Sequence, residues 1–554
     1  MTAPEIVEEE GLQKAPIRRL LARRIVPLAL LLVYVVQCAW FIRTQSLTYD
    51  EPVHIAEGLD AWRHGRFEQY NDHPPLGRLL CALPLVNPKW QIDLEQLREG
   101  FRVHHVSPDP MSLAWRARAM NVALGVVLGI LLWGEARRHF STAAANFSLA
   151  LFAFTPALIA HFSLATTDGA ATLMIFATAV QLRRWLRHSS LANTVLVGVT
   201  LGLLLLAKFS TLPMFTLACV WLLLSSVGAI RLAPSKRNWL KSVAALGLAF
   251  LVLWAGYFFH VSRLTLHNGT LTASHPHWTT TMVKPTHNRF NLSIPVPAGE
   301  YIAGFRDLMF HNARGQRAYF LGQVSPKGGW KLYYPVTILL KWPFVVLVSC
   351  FLGLWACARR RGQTSWDFWI LFSFPALYFV LAIFSHFNIG ERHVLPLYPF
   401  ALFFAAAAAD RLSSVRVWRL ALPVVLILNA VDALRYAPDY LSYMNIAVDP
   451  NHSYRLLSDS NVDWGQGLIA LRKYQDQHPD EAVSLAYFGS VDPEVYGIQA
   501  GPLGENERVK GNVVVGATEL SGQYLKDPAG YRWVLKYPRK AVLNHSMFLF
   551  EVDQ

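Results

Sequence analysis

Residues 25–42, with the sequence IVPLALLLVYVVQCAWFI, form an apolar run that is long enough to cross a bilayer. No small-residue cleavage site follows the run, as one would after a signal peptide, so we predict a retained membrane anchor. Arg18, Arg19, Arg23 and Arg24 precede it. Basic residues accumulate on the cytoplasmic side of membrane spans, so the N-terminus is predicted to be cytoplasmic.

Ten more apolar runs follow this anchor, and the sequence therefore predicts an all-α polytopic membrane domain with about eleven transmembrane helices. The composition agrees, because 53% of the residues are hydrophobic and only 16% are charged. These values exclude a disordered chain and a single soluble domain. The predicted spans are 25–42, 117–134, 143–161, 168–182, 191–207, 209–227, 240–259, 335–357, 366–384, 393–409 and 417–434.

The net charge of +14 comes mainly from basic clusters beside the apolar runs, not from a nucleic-acid-binding surface. Every cluster falls on the cytoplasmic side when the N-terminus is cytoplasmic. With an odd number of spans, the C-terminus is extracytoplasmic. The clusters after the first are Arg137 and Arg138; Arg183, Arg184 and Arg187; Lys236, Arg237 and Lys241; Arg359 to Arg361; and Arg411, Arg416 and Arg419.

The predicted domains are a cytoplasmic tail (1–24), a transmembrane domain (25–434) and an extracytoplasmic α/β domain (435–554). The transmembrane domain carries two large outer loops, 43–115 and 260–332, so most of the polar mass lies outside. The first loop contains two helical patterns, one through Ile55, Leu59 and Trp62 and one over Leu76 to Val86. In the last domain, Gly465 to Tyr474 predicts a helix, and Ala482 to Phe488, Asn512 to Val515 and Met547 to Val552 predict strands.

Several ionisable residues fall at the outer ends of spans, where burial is costly and each needs a reason. Each has a simple alternative: Asp50 and Asp168 could cap helices, Lys341 could extend to the headgroups, and Glu391 could pair with Arg392. Together they combine carboxylates, which deprotonate an acceptor or hold a metal, with cations that bind phosphate. The set is Asp50, Glu51, Asp168, Lys208, Lys341, Glu391, Arg392 and His393.

Metal binding has weaker support in the sequence. The five cysteines have no metal-binding or disulfide spacing, and four of them lie in apolar runs. His275-Pro276-His277 is a two-histidine pattern without an assigned third ligand. A divalent metal ion stays possible at the outer face, and Asp459 and Asp463 are interpreted as turn or capping residues with acceptor binding as the alternative.

Several short motifs lie at or near the predicted outer face. They are Tyr49-Asp50-Glu51, His73-Pro74-Pro75-Leu76, Thr167-Asp168, Tyr334-Pro335 with Leu340-Lys341, Glu391 to Pro399, and Asp459 to Gln466. These motifs resemble the GT-C glycosyltransferases, in particular the protein O-mannosyltransferases (family 39) and the aminoarabinose lipid A transferases (family 83). The resemblance extends to about residue 470. His73 stands where the aminoarabinose transferases have Lys, and the β-trefoil insertion of eukaryotic protein mannosyltransferases is missing.

This resemblance implies an inverting transfer of a sugar from a polyprenyl-phosphate carrier to a protein, lipid or glycan acceptor, in a membrane that we expect to be the bacterial inner membrane. Asp50 would act as the base or orient the acceptor, and Glu51 and Asp168 would support acceptor or metal binding. Arg392 is predicted to clamp the donor phosphate. The other predicted donor-phosphate ligands are His393, His73, Lys341 and Lys208.

Two other classes of function are weighed against this one. A transporter or flippase commonly has repeated halves around a charged site at the membrane midplane. We find no such repeat, and the charges lie at the outer face. A purely structural or assembly protein is the third alternative.

Overall fold

The structure is a computed structural model of the chain, and it describes residues 21–67, 72–87, 89–101, 109–227, 238–267, 270–275, 278–283, 292–359 and 365–553. Long helices dominate it, and all eleven predicted spans coincide with helices. The α-helices up to residue 434 are α1 (Val26–Thr44), α2 (Glu51–His64), α3 (Leu76–Ala82), α4 (Leu94–Arg98), α5 (Pro110–His139), α6 (Thr142–Ala153), α7 (Pro156–Phe162), α8 (Asp168–Arg187), α9 (Leu191–Ala207), α10 (Leu212–Ser226), α11 (Asn238–Gly256), α12 (Gly299–Arg314), α13 (Tyr333–Lys341), α14 (Phe344–Ala358), α15 (Ser365–Ile383), α16 (Tyr398–Leu412) and α17 (Arg416–Leu434).

Within the described residues, five helical segments are long and apolar enough to cross a membrane, and there are seven if each bent helix pair counts as one span. The chain is an integral membrane protein, and the number of eleven spans stays a prediction. The other predicted spans are helical but shorter or more charged. The five segments are Arg23–Thr44, Pro110–His139, Phe209–Ser226, Trp239–Gly256 and Glu391–Leu412.

Two predicted spans are bent where a proline follows the break. Helices α6 and α7 meet at 61° and helices α13 and α14 at 114°. Thr155 and Trp342 are extended at these breaks, and each precedes a proline, whose ring disfavours helical geometry in the residue before it. The second bend turns the chain sharply just after Lys341.

The first outer loop forms the two predicted helices, α2 and α3. They pack closely enough that a Cβ on Gly58 would lie 2.1 Å from the carbonyl oxygen of Arg78, so this crossing requires glycine. Ile55 and Leu59 of α2 are fully buried, as their spacing predicts. The loop is therefore a folded part of the molecule.

The second outer loop contains a sheet that the sequence analysis did not predict. Its four antiparallel strands are ordered β3-β2-β1-β4. A short hairpin, β5 (Ala318–Phe320) with β6 (Gln323–Ser325), follows α12. The four strands are β1 (Val261–His267), β2 (Thr270–His275), β3 (Trp278–Val283) and β4 (Leu292–Pro297).

The C-terminal segment folds as a small α/β unit, which confirms that prediction. Its five strands are ordered β10-β11-β9-β7-β8, with β7 parallel to both neighbours and the other pairs antiparallel. Leu468, Leu485, Val514 and Leu549 are buried in its own apolar core. Its elements are α18 (Leu468–Gln477), β7 (Val483–Ala486), β8 (Gly501–Pro502), β9 (Gly511–Gly516), α19 (Ala517–Ser521), β10 (Arg539–Leu543) and β11 (Met547–Val552).

Candidate active site

Two predicted site residues that are far apart in the sequence form an ion pair. The Arg392 guanidinium donates from Nη1 to Asp50 Oδ2 at 2.7 Å, across 342 positions of chain. Both side chains keep access to solvent, with 10% of Arg392 and 29% of Asp50 exposed. The pair is therefore mostly buried but open on one side, chiefly through Asp50.

Asp50 stands at the N-terminal end of α2, but its side chain makes no capping hydrogen bond there. Its carboxylate faces Arg392 instead, so the capping alternative does not describe it. The preceding residue is held in place because the Tyr49 amide donates to the Trp464 carbonyl at 3.0 Å. The Trp464 ring also lies 4.1 Å below the Arg392 guanidinium, where a cation–π contact holds that group flat.

Arg392 lies in a 3₁₀ turn, Glu391–Leu397, that leads into α16. The turn packs against the segment Asp459 to Gln466: the Glu391 amide donates to Asn461 Oδ1 at 2.9 Å, and Ser460 Oγ donates to the Ile389 carbonyl at 2.8 Å. A Cβ on Gly390 would lie 1.9 Å from Ser460 Oγ, so the close approach requires glycine. Among the described residues, the buried Arg392 Nε has no hydrogen-bond partner.

A second pair lies at the outer ends of α8 and α9. Lys208 Nζ donates to Asp168 Oδ1 at 2.6 Å, and the two side chains are 12% and 3% exposed. Lys208 is extended and breaks the helix between Ala207 and Phe209, which places its ammonium at this end of the bundle. Asn121 fixes the turn before Asp168 by donating to the Thr166 carbonyl at 2.9 Å.

These two pairs meet around His393. The turn that carries Arg392 and His393 packs against α8, which begins at Asp168. The segment that follows His73 reaches the same end of α8, because a Cβ on Gly77 would lie 3.0 Å from Thr167. The buried His393 Nε2 has no hydrogen-bond partner within the described part of the chain. The structure therefore brings six predicted site residues into one cluster, Asp50, Asp168, Lys208, His73, Arg392 and His393, although they come from five separate parts of the sequence.

His73 is accompanied by three residues that the sequence analysis missed. Asp72 Oδ1 lies 3.1 Å from His73 Nδ1 and accepts from Arg78 Nη2 at 3.0 Å. Arg78 Nε also donates to His54 Nδ1 at 3.2 Å, and the His54 ring meets the His73 ring edge to face. Burial, together with the Arg78 charge, holds the pKa of His54 well below its usual range, so His54 is a neutral acceptor. Its position four residues after Asp50, on the same helix face, was the available signal.

Glu51 is placed differently from its predicted role in acceptor or metal binding. Its carboxylate is fully buried and accepts from Arg118 Nε and Nη2, both at 2.8 Å. It also accepts from the Thr48 amide and the Ala165 amide, both at 2.7 Å. Both oxygens are thus occupied by protein donors, and Glu51 lies beneath the site.

Lys341 also differs from its predicted contact with donor phosphate. It is 2% exposed and donates to the carbonyl oxygens of Leu441, at 2.9 Å, and Asn461, at 2.5 Å. Its ammonium lies 3.5 Å from the Glu391 carboxylate. It therefore neither extends to the headgroups nor faces the cluster, and the suggested Glu391–Arg392 pair is wrong because each residue has another partner.

Asp459 and Asp463 are buried turn residues. Asp463 accepts from the Gly465 amide at 3.2 Å and the Thr518 amide at 3.1 Å. Burial raises the pKa of Asp463 to about 7. Burial also raises the pKa of Asp459 to about 6, against the opposing charge of Arg392.

The described residues contain no group of three or more His, Cys, Asp or Glu side chains that could hold a metal ion. The predicted His275-Pro276-His277 pattern lies partly outside the described residues. In the cluster, Asp50 and Asp168 each already pair with a cation. Within the described residues, neither carboxylate of the cluster is left unpaired for a divalent cation, whereas Arg392 Nε keeps an unused donor that can serve an anion.

Comparison with known proteins agrees with this geometry. Residues 111–257 match the sequence model of the dolichyl-phosphate-mannose-protein mannosyltransferase family. The structure of the S. cerevisiae protein O-mannosyltransferase Pmt1-Pmt2 complex bound to the sugar donor matches with a TM-score of 0.54 at 12% identity, over 75% of this chain and 89% of that chain. The fold is that of a GT-C glycosyltransferase.

The ArnT structure from Cupriavidus metallidurans bound to undecaprenyl phosphate matches with a TM-score of 0.47 at 12% identity, over 94% of this chain and 97% of that chain. No curated protein sequence matches the chain. The family match and the fold confirm the predicted architecture and the predicted enzyme class, a membrane glycosyltransferase. They give no support to the transporter alternative.

Proposed function

We propose that this glycosyltransferase moves a sugar, with inversion, from a polyprenyl-phosphate carrier to an acceptor hydroxyl at the extracytoplasmic face of a bacterial inner membrane. The observation that carries the proposal is the accessible Asp50–Arg392 pair within a GT-C fold. The S. cerevisiae relative with this fold is bound to its sugar donor, and the family model that matches residues 111–257 is named for a lipid-phosphate-linked mannose.

The cationic side of the cluster suits the donor phosphate. As the bond between the anomeric carbon and the phosphate oxygen breaks, its electron pair passes to that oxygen, and the growing charge needs fixed cations nearby. Arg392 supplies a planar guanidinium whose Nε has no partner within the described residues. Lys208, His393 and His73 are the other basic side chains of the same cluster.

Asp50 is the base in this proposal. The acceptor hydroxyl attacks the anomeric carbon on the face opposite the leaving phosphate, which inverts the configuration, and its proton passes to the Asp50 carboxylate. When the donor phosphate takes hydrogen bonds from Arg392, the charge of that arginine is shared, which leaves the carboxylate freer to accept a proton. Asp168 accepts a hydrogen bond from Lys208 and so positions the Lys208 ammonium as the second cation of the cluster.

We propose structural roles for Glu51 and Lys341, because their polar atoms already bond to buried protein groups. Glu51 connects the start of α2 to α5 through Arg118. Lys341 connects the sharp bend after α13 to the segment that carries Trp464.

The distribution of charge supports the proposed orientation. At the end opposite the cluster, the buried Glu135 carboxylate at the end of α5 lies 2.8 Å from Arg184 and also pairs with Arg183 and Arg138. These are the basic groups that the positive-inside rule assigns to the cytoplasm. A reporter that is active only in the cytoplasm should be inactive when fused after Asp439, and an active fusion would contradict the orientation.

The test of the mechanism is Asp50→Asn in purified full-length protein. Because an amide accepts no proton at neutral pH, transfer from a polyprenyl-phosphate sugar should fall by about 10²–10⁴-fold, while carrier binding persists. Asp93→Asn is the matched control, because Asp93 is a true cap that accepts from the Glu95 and Gln96 amides of α4. Wild-type turnover in Asp50→Asn removes Asp50 as the base.

A further inference from the structure

Three aromatic rings stack beside the Asp50–Arg392 pair. The Tyr49 ring lies 5.3 Å from the Phe488 ring at 13° to it, and Phe488 lies 5.1 Å from Tyr524 at 6°. Phe488 and Tyr524 belong to the C-terminal α/β unit, whereas Tyr49 directly precedes Asp50. Tyr49 is 45% exposed, so the stack ends in an accessible ring face next to the proposed base.

The stack is supported at its Tyr524 end. The Tyr524 hydroxyl donates to the Asp459 carboxylate, and that carboxylate also accepts from Gln523 Nε2 at 3.3 Å. Asp459 is in turn fixed by the Ser460 amide, which donates to Oδ1 at 2.5 Å. A ring face with such support needs little ordering when a ligand binds, which favours binding.

The exposed Tyr49 ring is not needed to anchor its own segment. The Tyr49 amide donates to the Trp464 carbonyl, and the Tyr49 carbonyl accepts from Ser490 Oγ at 2.7 Å. Two backbone hydrogen bonds therefore already attach this residue to the C-terminal unit. The Tyr49 ring stacks on Phe488, and 45% of the residue stays exposed.

An aromatic face carries partial negative charge and attracts the weakly positive hydrogens of C–H groups. One face of a pyranose ring presents several axial C–H groups in a flat arrangement, so it covers an aromatic ring well. The side chain of serine or threonine has only one or two carbons and cannot cover it. The chemistry of this surface therefore favours a sugar ring over a peptide hydroxyl.

We propose that Tyr49, supported by Phe488 and Tyr524, is an acceptor-binding platform, and that the acceptor is a carbohydrate whose ring stacks on Tyr49 with one hydroxyl directed to Asp50. This inference rests on the proposed function, since it assigns the acceptor class of the same site. It also gives the C-terminal unit a task, because that unit supplies two of the three rings and both backbone anchors.

Saturation-transfer NMR on the full-length protein in lipid nanodiscs tests the platform, with methyl α-D-mannopyranoside and methyl β-D-glucopyranoside as probes. At least one glycoside should receive saturation at its ring protons from the wild type. The signal should fall by about 2- to 10-fold in Tyr49→Ala, the range expected when one aromatic contact is lost. It should persist in Tyr49→Phe and Tyr49→Trp, which keep the ring face.

Trp62→Ala is the matched control, because Trp62 is an aromatic residue of the same outer loop with 39% of its surface exposed. It should leave the signal unchanged. Thermal unfolding of each variant shows whether Tyr49→Ala folds, and Tyr49→Leu provides a second variant that keeps apolar bulk but removes the π face.

Polyprenyl-phosphate binding, measured on the same preparations, separates the two proposals. The platform is overturned if the protein binds the carrier but the glycoside signal is the same in Tyr49→Ala as in the wild type. It is also overturned if the protein binds the carrier but gives no glycoside signal. Both results leave the proposed function intact. A Tyr49-dependent signal from acetyl-Ala-Thr-Ala-amide in place of the glycosides also overturns it, because the platform then binds peptide. Loss of carrier binding in the wild type contradicts the proposed function itself.

Discussion

Asp50 and Glu51 are neighbours in the sequence, and each carboxylate meets an arginine, but the two ion pairs have opposite surroundings. The Asp50–Arg392 pair is 29% and 10% exposed, whereas neither member of the Glu51–Arg118 pair is exposed at all. Glu51 accepts hydrogen bonds from Arg118, Thr48 and Ala165, so both of its oxygens are occupied. In the proposed mechanism, the same kind of ion pair thus binds substrate in one place and stabilises the fold in the other, and exposure to solvent separates the two.

Two further ion pairs fit this contrast. Asp168–Lys208 keeps some exposure on the lysine and lies with the open pair, whereas Lys341–Glu391 is closed at 2% exposure on both sides. Removing one partner of a buried ion pair strongly lowers the stability of the fold, because the other charge is left buried without a counter-charge. Exposed pairs tolerate a change of partner, which is what a substrate requires.

The difference between the two ion pairs is tested most directly by neutralising Asp50 and Glu51 in separate variants. Glu51→Gln leaves Arg118 buried without a counter-charge, so the free energy of unfolding should fall by about 3–5 kcal/mol. Asp50→Asn should lower it by a smaller amount, because Asp50 is 29% exposed and Arg392 keeps some access to water. Denaturant titration of the purified protein measures both, and equal losses in the two variants would remove the distinction between open and closed pairs.

The open pair should also depend on the shape of its cation. Arg392→Lys keeps the charge but loses the planar guanidinium, so we expect polyprenyl-phosphate binding to weaken by about 10- to 100-fold. Arg116→Lys is the matched control, because the Arg116 guanidinium also lies over a tryptophan ring, 4.0 Å from that of Trp90, and is outside the cluster. Carrier affinity that is the same in both variants would rule out a guanidinium clamp.

Much of the fold was predictable because hydropathy reports the transfer of each segment from water to lipid, which is a local property. The helices therefore lie where the apolar runs are. The bends at Thr155 and Trp342 were missed because the runs were counted as spans without applying the rule for residues before proline. The four-stranded sheet of the second outer loop was missed because its strands, such as Val261–His267, have no strong apolar alternation.

The charged residues of the candidate site could be selected from the sequence, but which of them pair with each other could not. A charge at a span end is costly, and this argument found Asp50, Asp168, Lys208 and Arg392. The same argument applied to Arg118, which lies inside a predicted span, would have found the closed pair. No local pattern connects Asp50 to Arg392 across 342 positions, and exposure, which separates Asp50 from Glu51, depends on the complete packing.

Asp463 is a buried carboxylate that has no cationic partner among the described residues, and this makes the stability of the protein depend on pH. Burial raises the pKa of Asp463 to about 7, and only backbone amides oppose the rise. The folded protein therefore holds this proton in a pH range where the unfolded chain has released it, so stability falls as pH rises from about 4 to 7. From pH 5 to pH 8 the wild type should lose on the order of 2–3 kcal/mol relative to Asp463→Asn, which does not titrate. Parallel pH profiles would show that the carboxyl is already ionised at pH 5.

The smallest effect is expected where a pair is fully open, at Arg472 and Asp476 on α18. Their side chains are 44% and 55% exposed and lie 2.7 Å apart at i and i+4 on the helix. Water and salt screen such a pair, and holding two flexible side chains together offsets most of the attraction, so Asp476→Asn should change the free energy of unfolding by less than about 0.5 kcal/mol. The small change should vanish at 1 M salt, whereas the loss in Glu51→Gln should persist there because salt does not reach a buried pair. Denaturant titrations at low and high salt on both variants measure this directly. A salt-dependent loss at Glu51, or a salt-resistant one at Asp476, would mean that exposure does not separate the two kinds of pair in this protein.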